Sequence, residues 1–222
     1  MQERFVSRRE GRVGMGQPGS GGRGPYRTGI KRREQIVAAA AKAFAEHGYN
    51  GASMRQIAAE VGVSPAALLR HFESKEELLS AVLEWWASET LAITREGQSG
   101  LAAFERLRDV MRYHTEHRGL LELFTRFTGE AVHPAHPARP FISLRYDTVV
   151  NNLVERLLAA AEAGEVPPLT RAKAEAEIRL LCSVMDGLEI QWLLDPGVDL
   201  VGLFDKYLTR TLERWKNGAY DG

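Results

Sequence analysis

The sequence predicts an all-α fold, with a three-helix helix-turn-helix domain near the N-terminus and a larger helical domain after it. From residue 31 onward apolar residues recur three and four positions apart, which is the spacing of a helix face, and no segment alternates convincingly as a strand does. Closely spaced helix-start signals between residues 53 and 77 are typical of short helices joined by tight turns. A chain of 222 residues is too long for that module alone, so the remainder predicts a second helical domain.

Composition favours a soluble, cytoplasmic protein. Apolar residues make up 44% of the chain, which supports a substantial core, and the single cysteine, Cys182, excludes an internal disulfide. No stretch of 18 residues is apolar, and the basic residues Arg4, Arg8 and Arg9 are followed by no apolar run. We therefore expect neither a membrane span nor a signal peptide.

Charge is distributed unevenly along a chain whose formal net charge is zero. Residues 1–75 contain 13 Lys and Arg against 6 Asp and Glu, a charge of +7, and the remainder contains 16 against 23, a charge of −7. The basic part includes the predicted helix-turn-helix, as attraction to DNA phosphates would require. A chance distribution of surface charge is the alternative interpretation.

Residues 1–30 are predicted to be a disordered tail. Glycine and arginine dominate this segment and apolar periodicity is almost absent, so it cannot bury enough surface to offset the entropy of ordering. A basic arm that contacts the DNA backbone or minor groove and a solvated tail without a role are both open interpretations. The helix-turn-helix domain is predicted to span residues 31–75, and the second domain residues 76–222.

Capping residues predict the helix-turn-helix. Ser53 and Gln56 have the spacing of a capping box, and Ser64 precedes a helix whose first position is Pro65. Gly62 supplies the sharp turn between these two short helices. Pairs of this kind place their second helix in the major groove of DNA.

The last two predicted helices are apolar on more than one side. A surface helix needs only one buried stripe, so a second stripe favours contact with a second copy of the chain. The alternative is that both helices are central to a monomer core. On the first interpretation the dimer interface contains Leu180, Leu181, Val184, Leu188, Phe204, Leu208 and Leu212.

The N-terminal segment resembles the Tet repressor (TetR) family of bacterial regulators. The residues that carry the resemblance are Ile57-Ala58, Gly62-Val63-Ser64, Leu68, His71-Phe72 and Ser74-Lys75-Glu76-Glu77-Leu78. The likeness is specific over residues 31–79, and a looser one to the family's eighth helix covers residues 186–196. The resemblance implies an all-α homodimer whose C-terminal domain holds a ligand cavity and whose last two helices form the dimer bundle.

The same resemblance implies that residues 65–72 are the recognition helix. Arg70 is the long donor that could bind a guanine edge in bidentate fashion, and a contact to phosphate alone is the equal alternative. The family usually has a tyrosine where this chain has Leu69, so a hydroxyl that would bind phosphate is lost. We expect the DNA-binding residues to be Ser53, Arg55, Ser64, Pro65, Ala66, Ala67, Leu69, Arg70, His71 and Lys75.

The implied ligand cavity would use aromatic and apolar residues of the second domain. His114 is the candidate polar group inside it, although a hydrogen-bonded core histidine is the commoner arrangement. Core packing is the alternative role for each of the others. The candidates are Trp86, Met111, His114, Phe124, Phe127, Tyr146 and Trp192.

Sequence motifs of catalysis and metal binding do not occur. There is no glycine-rich phosphate loop, nucleophile elbow or clustered cysteine motif. His133 and His136 lie in a proline-broken loop without a set of cysteine or carboxylate ligands. We therefore predict that the chain is not an enzyme and uses no cofactor or metal.

Together these features predict a ligand-responsive transcriptional regulator. The preferred mode is a repressor that a small-molecule effector releases from a palindromic, double-stranded DNA operator. One alternative is an activator or architectural protein that binds DNA without an effector. Another, from a different class, is a small-molecule-binding protein or enzyme that merely retains the N-terminal domain.

Overall fold

The computed structural model describes residues 25–95, 100–136 and 138–220, which form ten helices and no strand. The all-α prediction is therefore confirmed. In chain order the helices are α1 (Pro25–Gly51), α2 (Met54–Glu60), α3 (Pro65–Leu69), α4 (Lys75–Arg95), α5 (Ala102–Glu105), α6 (Leu107–Glu116), α7 (Arg118–Glu130), α8 (Arg139–Glu162), α9 (Arg171–Leu194) and α10 (Leu200–Lys216). Across these ranges, no helix is both long enough and apolar enough to cross a membrane.

Helix α1 begins earlier than the sequence predicts. The prediction of a disordered tail through residue 30 is wrong for residues 25–30, which are helical, whereas residues 1–24 lie outside the described residues. Extending a formed helix costs less than nucleating a new one, and the start of α1 is held by tertiary contacts. Arg32 donates a hydrogen bond of 3.2 Å to the Val61 carbonyl, and the Arg33 guanidinium lies 4.4 Å from the Phe72 ring centroid.

The predicted caps of α2 and α3 are present. Ser53 Oγ accepts a hydrogen bond from the Gln56 amide at 3.2 Å, and Gln56 Oε1 accepts one from the Ser53 amide at 2.9 Å. Ser64 Oγ accepts a hydrogen bond from the Ala67 amide at 3.1 Å. Gly62 joins the two helices with φ 66°, in the left-handed region that favours glycine. The local sequence therefore determines where both helices begin.

Buried side chains form two hydrophobic cores. The first core is built from α1, α2, α3, α4 and α7, together with the start of α8. The second is built from α5, α6, α8, α9 and α10. The helix-turn-helix therefore shares its core with α4 and α7 rather than packing alone.

Helices α1 and α7 lie in close contact at Gly119. A Cβ atom at this position would lie 2.5 Å from the Ala45 carbonyl oxygen and 2.7 Å from the Ala45 Cβ. These separations are far below van der Waals contact, so only glycine allows the two helices to pack at this distance. The backbone of α7 is thus fixed directly against the backbone of α1.

Replacing Gly119 tests this contact. We expect Gly119→Ala to lower the free energy of unfolding by about 1–3 kcal/mol, because the added methyl group forces α7 away from α1. Gly129→Ala is the matched control, since Gly129 lies in the same helix and an added Cβ would meet nothing within 4 Å. Alanine should be neutral or slightly stabilising there. Equal urea denaturation midpoints for the two variants would contradict the close approach.

Candidate DNA-binding surface and ligand cavity

The residues predicted to bind DNA all lie at the surface of one segment, residues 53–75, which we call the helix-turn-helix surface. The exposed members are Ser53, Arg55, Ser64, Pro65, Ala66, Leu69 and Arg70. The partly buried members are Ala67, His71 and Lys75. The structure therefore brings the predicted residues together in an accessible region, and their contacts to DNA remain a prediction.

Helix α3 is fixed from its inner side and leaves its outer side free. Leu68 and Phe72 are fully buried in the first core. Leu69, on the outer side, is 48% exposed although it is a large apolar residue. Arg70 is the C-cap residue of the helix and is exposed. The outer surface thus consists of small apolar groups, a leucine and one guanidinium.

Lys75 is the first residue of α4 and packs against the end of α1. Its Nζ lies 4.4 Å from the centroid of the Tyr49 ring, a cation–π contact, and burial lowers the pKa of Lys75. The Tyr49 hydroxyl donates a hydrogen bond of 2.9 Å to Glu76 Oε1. These contacts hold the lysine side chain in place at the edge of the helix-turn-helix surface.

A cavity of about 120 Å³ lies in the larger helical part, enclosed by α4, α6, α7, α8 and α9. Of the predicted ligand-binding residues, His114, Phe124 and Tyr146 line it. Thr90 and Thr94 of α4 also line it. The structure thus shows a cavity in the domain where the sequence predicts one.

Four of the predicted cavity residues have other positions. Met111 is fully buried in the second core, and Phe127 packs in the first core with its ring edge against Tyr49. Trp192 lies beneath the Arg118 guanidinium, 4.8 Å from it. Trp86 lies behind the cavity wall, with its ring centroid 5.1 Å from that of His114. The prediction is wrong for these four because apolar periodicity alone does not distinguish a cavity wall from a packed core.

A group of charged side chains that the sequence analysis did not select also lines the cavity. Arg145 comes from α8, and Asp186 and Glu189 come from α9. His114 Nδ1 and Glu189 Oε1 are hydrogen-bonded at 2.6 Å, and the Tyr146 hydroxyl donates to Asp186 Oδ2 at 2.8 Å. The signal available in the sequence was the placement of these charges three and four positions from apolar residues of the same helix, such as Ile142 for Arg145, Cys182 for Asp186 and Met185 for Glu189.

Burial shifts the ionisation of this group. It raises the pKa of Asp186 to about 6, an effect that the hydrogen bond from Tyr146 opposes and the nearby Glu189 carboxylate reinforces. Burial also lowers the pKa of Arg145 and raises that of Tyr146. The cavity is therefore a site in which charge is costly and is compensated by specific partners.

The Arg145 guanidinium is packed mainly against aromatic rings. Its Cζ lies 4.5 Å from the Phe124 ring centroid and 5.9 Å from that of Trp86. Within the described part of the chain, Arg145 Nη1 and His114 Nε2 are buried without a hydrogen-bond partner. Buried polar atoms normally have partners, so these two atoms are polar groups of the cavity that the described residues leave unsatisfied.

Metal binding has no support in the described ranges, where no three His, Cys, Asp or Glu side chains are grouped to hold an ion. His114 is instead engaged with Glu189. His136 lies 3.4 Å from Glu130, in the loop between α7 and α8.

The structure corrects most of the predicted dimer interface. Leu181, Phe204, Leu208 and Leu212 are buried in the second core of the same chain, and Leu188 packs against that core. The prediction is wrong for these residues because the apolar face of α9 and that of α10 pack into the core of their own chain. Leu180 and Val184 remain at the surface, Leu180 being 45% exposed.

An apolar stripe lies along the outer face of α9. Leu180, Val184, Gly187 and Leu194 are separated by four, three and seven residues, so they share one face of the helix. Leu194 is 82% exposed, and an added Cβ at Gly187 would meet nothing within 4 Å. Leu203 of α10 and Ile190 of α9 are further exposed apolar residues. This face is accessible to a partner.

The helix-turn-helix and the larger helical part that contains the cavity together define an all-α helix-turn-helix protein. Residues 36–82 match the model of the family described as bacterial regulatory proteins, tetR family. The transcriptional repressor AcnR of Corynebacterium diphtheriae is 36% identical over 86 residues, which cover 39% of this chain and 43% of AcnR. The transcriptional regulator UidR of Escherichia coli K12 is 27% identical over 137 residues, covering 61% of this chain and 69% of UidR.

Solved structures extend the likeness to the fold of nearly the whole chain. A TetR transcriptional regulator from Chloroflexus aurantiacus superposes with a TM-score of 0.65 at 22% identity, covering 85% of this chain and 96% of that one. Residues 36–82 thus match the TetR family, as the helix-turn-helix sequence predicted. The relatives are transcriptional regulators rather than enzymes. The match to AcnR spans less than half of that repressor.

The raised pKa of Asp186 predicts how the free energy of unfolding depends on pH. Asp186→Asn should raise the free energy of unfolding at pH 7 to 8 by about 2 kcal/mol, because an amide avoids burying a charge. The carboxyl has an ordinary pKa of 3.8 and a folded-state pKa of about 6. The folded parent therefore binds more protons between these values, and its stability falls as the pH rises through them. The advantage of the variant should shrink to about 0.5 kcal/mol near pH 4.

Urea denaturation of both proteins from pH 4 to pH 8 measures this difference. The charged and titratable groups near Asp186 are Tyr146, Glu189, Arg145, His114 and Cys182, and they are present in both proteins. Their own titrations largely cancel in the comparison. Asp147→Asn, at an exposed position of α8, is the control. A difference between Asp186→Asn and the parent that does not change with pH would contradict the assignment.

Proposed function

We propose that this chain is a transcriptional repressor that binds a palindromic DNA operator as a homodimer and is released by a small molecule bound in the cavity. The observation that carries the proposal is the continuity of α4. This helix begins with Lys75 at the helix-turn-helix surface, and Thr90 and Thr94 near its other end line the cavity. At 1.5 Å per residue, Lys75 and Thr90 are about 22 Å apart along one rigid element.

Binding to DNA is supported by the shape and charge of the helix-turn-helix surface. Helix α3 has an exposed outer side, and its N-terminal residues are small, which allows the backbone to approach base edges closely. Arg55, Arg70 and Lys75 supply positive charge around it. The acidic remainder of the chain carries no comparable attraction for phosphates. AcnR and UidR, the relatives compared above, are named as a repressor and a regulator of transcription.

Dimerisation is supported by the apolar stripe on α9. Two copies joined along α9 and α10 would hold two recognition helices at a fixed separation, and a palindromic operator requires about 34 to 36 Å or a multiple of it. The stripe is a more specific candidate than the seven leucine, valine and phenylalanine positions expected from sequence, since most of those are buried within one chain. A repressor acts where its operator is, so the proposal places this protein in the bacterial cytoplasm, with the chromosome.

Release by a ligand is supported by two mechanical links between the cavity and the DNA-binding domain. The first link is α4, and the second is α7, which contributes Phe124 to the cavity and Gly119 to the contact with α1. A molecule that moves either helix changes the position of the helix-turn-helix surface. To empty an operator thoroughly, it must favour the non-binding conformation by on the order of 5 kcal/mol.

Substitutions on the helix-turn-helix surface test DNA binding. We expect Arg70→Ala and Lys75→Ala each to weaken binding by about 10- to 100-fold, because each removes a charge-assisted contact. The probe is a duplex selected from a random-sequence library by the parent protein, with affinity measured by fluorescence anisotropy. Arg126→Ala is the control, because Arg126 is an exposed arginine of α7 that pairs with Glu130. Parent-like affinity in both test variants would refute the proposed surface.

The salt dependence separates the two roles left open for Arg70. If the side chain binds only phosphate, Arg70→Ala should lower the slope of log affinity against log salt by about one without changing sequence preference. If it binds a guanine edge, the variant should also accept base changes at one position in each half-site. Repeating the library selection with the variant distinguishes these results.

Charge introduced on the α9 stripe tests the dimer. The Leu180→Glu, Val184→Glu double variant should sediment as a monomer of 24.7 kDa at micromolar concentration, where the parent should be a dimer. Buried like charges facing each other across a two-fold interface would disrupt it. Glu162→Lys, an exposed change on α8, should leave the dimer intact. A monomeric parent, or a dimeric double variant, would refute the interface.

A further inference from the structure

The cavity is lined by apolar side chains and by a group of charged ones. Leu107, Val110 and Leu153 line it together with Phe124, and Arg145 projects from α8 among them. Its volume of about 120 Å³ is near the roughly 150 Å³ of an engineered apolar cavity that binds benzene. A ligand of this site is therefore small, with an apolar part about the size of one aromatic ring or a short aliphatic chain.

Arg145 is the group whose hydrogen-bonding capacity is not satisfied by the protein. Its guanidinium lies 4.5 Å from the Phe124 ring centroid and 5.9 Å from that of Trp86, and its Nη1 is buried without a partner among the described residues. A buried cation is costly unless an acceptor compensates it. The guanidinium fork matches the two oxygens of a carboxylate, and hydrogen bonds of this kind are among the strongest in proteins.

The acidic groups of the cavity are already engaged with other partners. Glu189 is hydrogen-bonded to His114 Nδ1, and Asp186 accepts a hydrogen bond from the Tyr146 hydroxyl. Asp186 and Glu189 also attract the Arg145 guanidinium electrostatically, but its Nη1 is buried without a hydrogen-bond partner among the described residues. An amine ligand would leave Nη1 without an acceptor, whereas an anionic ligand would supply one.

We propose that the cavity binds a small amphipathic carboxylate, with its carboxylate oxygens accepting hydrogen bonds from Arg145 and its apolar part lying against Phe124 and the leucines of the wall. This inference rests on the proposed function, because it names the chemical class of the effector. In this proposal Arg145 favours ligands that carry a carboxylate, and the cavity volume limits the size of the ligand's apolar part. His114 Nε2 is a second polar atom within the same cavity that a bound molecule can satisfy.

Titration calorimetry of the full chain without DNA tests the ligand class. The probes are benzoate and hexanoate, compared with benzyl alcohol and hexylamine, which have similar apolar parts but neutral or cationic groups. We expect the carboxylates to bind at least about 10-fold more tightly than the other two, as a charge-assisted hydrogen bond predicts. Tighter binding of the alcohol or the amine, or no binding of either carboxylate at millimolar concentration, overturns the proposal.

Substitution of Arg145 tests the contact itself. Arg145→Met should weaken benzoate binding by about 10- to 100-fold and leave benzyl alcohol binding unchanged. An apolar replacement of a buried charge is usually tolerated, and Arg145→Lys is a second variant that retains the charge but loses the fork. The lysine variant should bind benzoate with intermediate affinity. Arg179→Met, at an exposed arginine of α9 paired with Glu175, is the control. Parent-like benzoate affinity in Arg145→Met refutes the assignment.

Operator binding in the presence of the probes separates this inference from the proposed function. Benzoate binding that depends on Arg145 and lowers operator affinity supports both. Arg145-dependent binding with no change in operator affinity supports the carboxylate site and refutes the effector role. Release from the operator by a neutral or cationic compound, with no carboxylate binding, refutes the carboxylate site and supports the effector mechanism.

Discussion

The packing of α4 is the constraint on which the rest of the structure depends. Leu78, Val82 and Trp86 bury one side of this helix in the first core, and its last turns border the cavity. Helix α4 contains no proline or glycine at which it would kink, so a displacement at one end is transmitted to the other. The DNA-binding domain is consequently not an independent module attached by a linker. Its position is determined by a helix that also forms a wall of the ligand cavity.

Trp86 of α4 lies between the first core and the cavity. Its ring contacts His114 and Phe124, both of which line the cavity, while its own side chain is buried in the first core. Its Nε1 is buried without a hydrogen-bond partner among the described residues. A molecule entering the cavity changes the packing around this ring, and closely packed interiors transmit such changes rather than absorbing them. The same residue thus connects cavity occupancy to the helix that carries Lys75.

Charge buried in the cavity opposes stability and supports specificity. The ionisable side chains that border this space of about 120 Å³ include His114, Arg145, Asp186 and Glu189. An apolar set of similar volume would pack with less cost. Retaining these groups makes sense for a site that must distinguish one ligand chemistry from another, because an unsatisfied guanidinium rejects molecules that cannot accept its hydrogen bonds.

The sequence by itself determined the local features of this protein. Ser53, Ser64 and Gly62 specify helix starts and a turn through contacts within four residues, which is why the helix-turn-helix and its accessible residues could be predicted. Tertiary structure decided the rest. Whether Met111 packs in a core or Arg145 lines a cavity depends on elements far apart in the chain, and periodicity shows only that a side chain is buried. Likewise Leu181 and Leu180 are neighbours in sequence, but the packing of α9 on α8 and α10 turns one inward and leaves the other exposed.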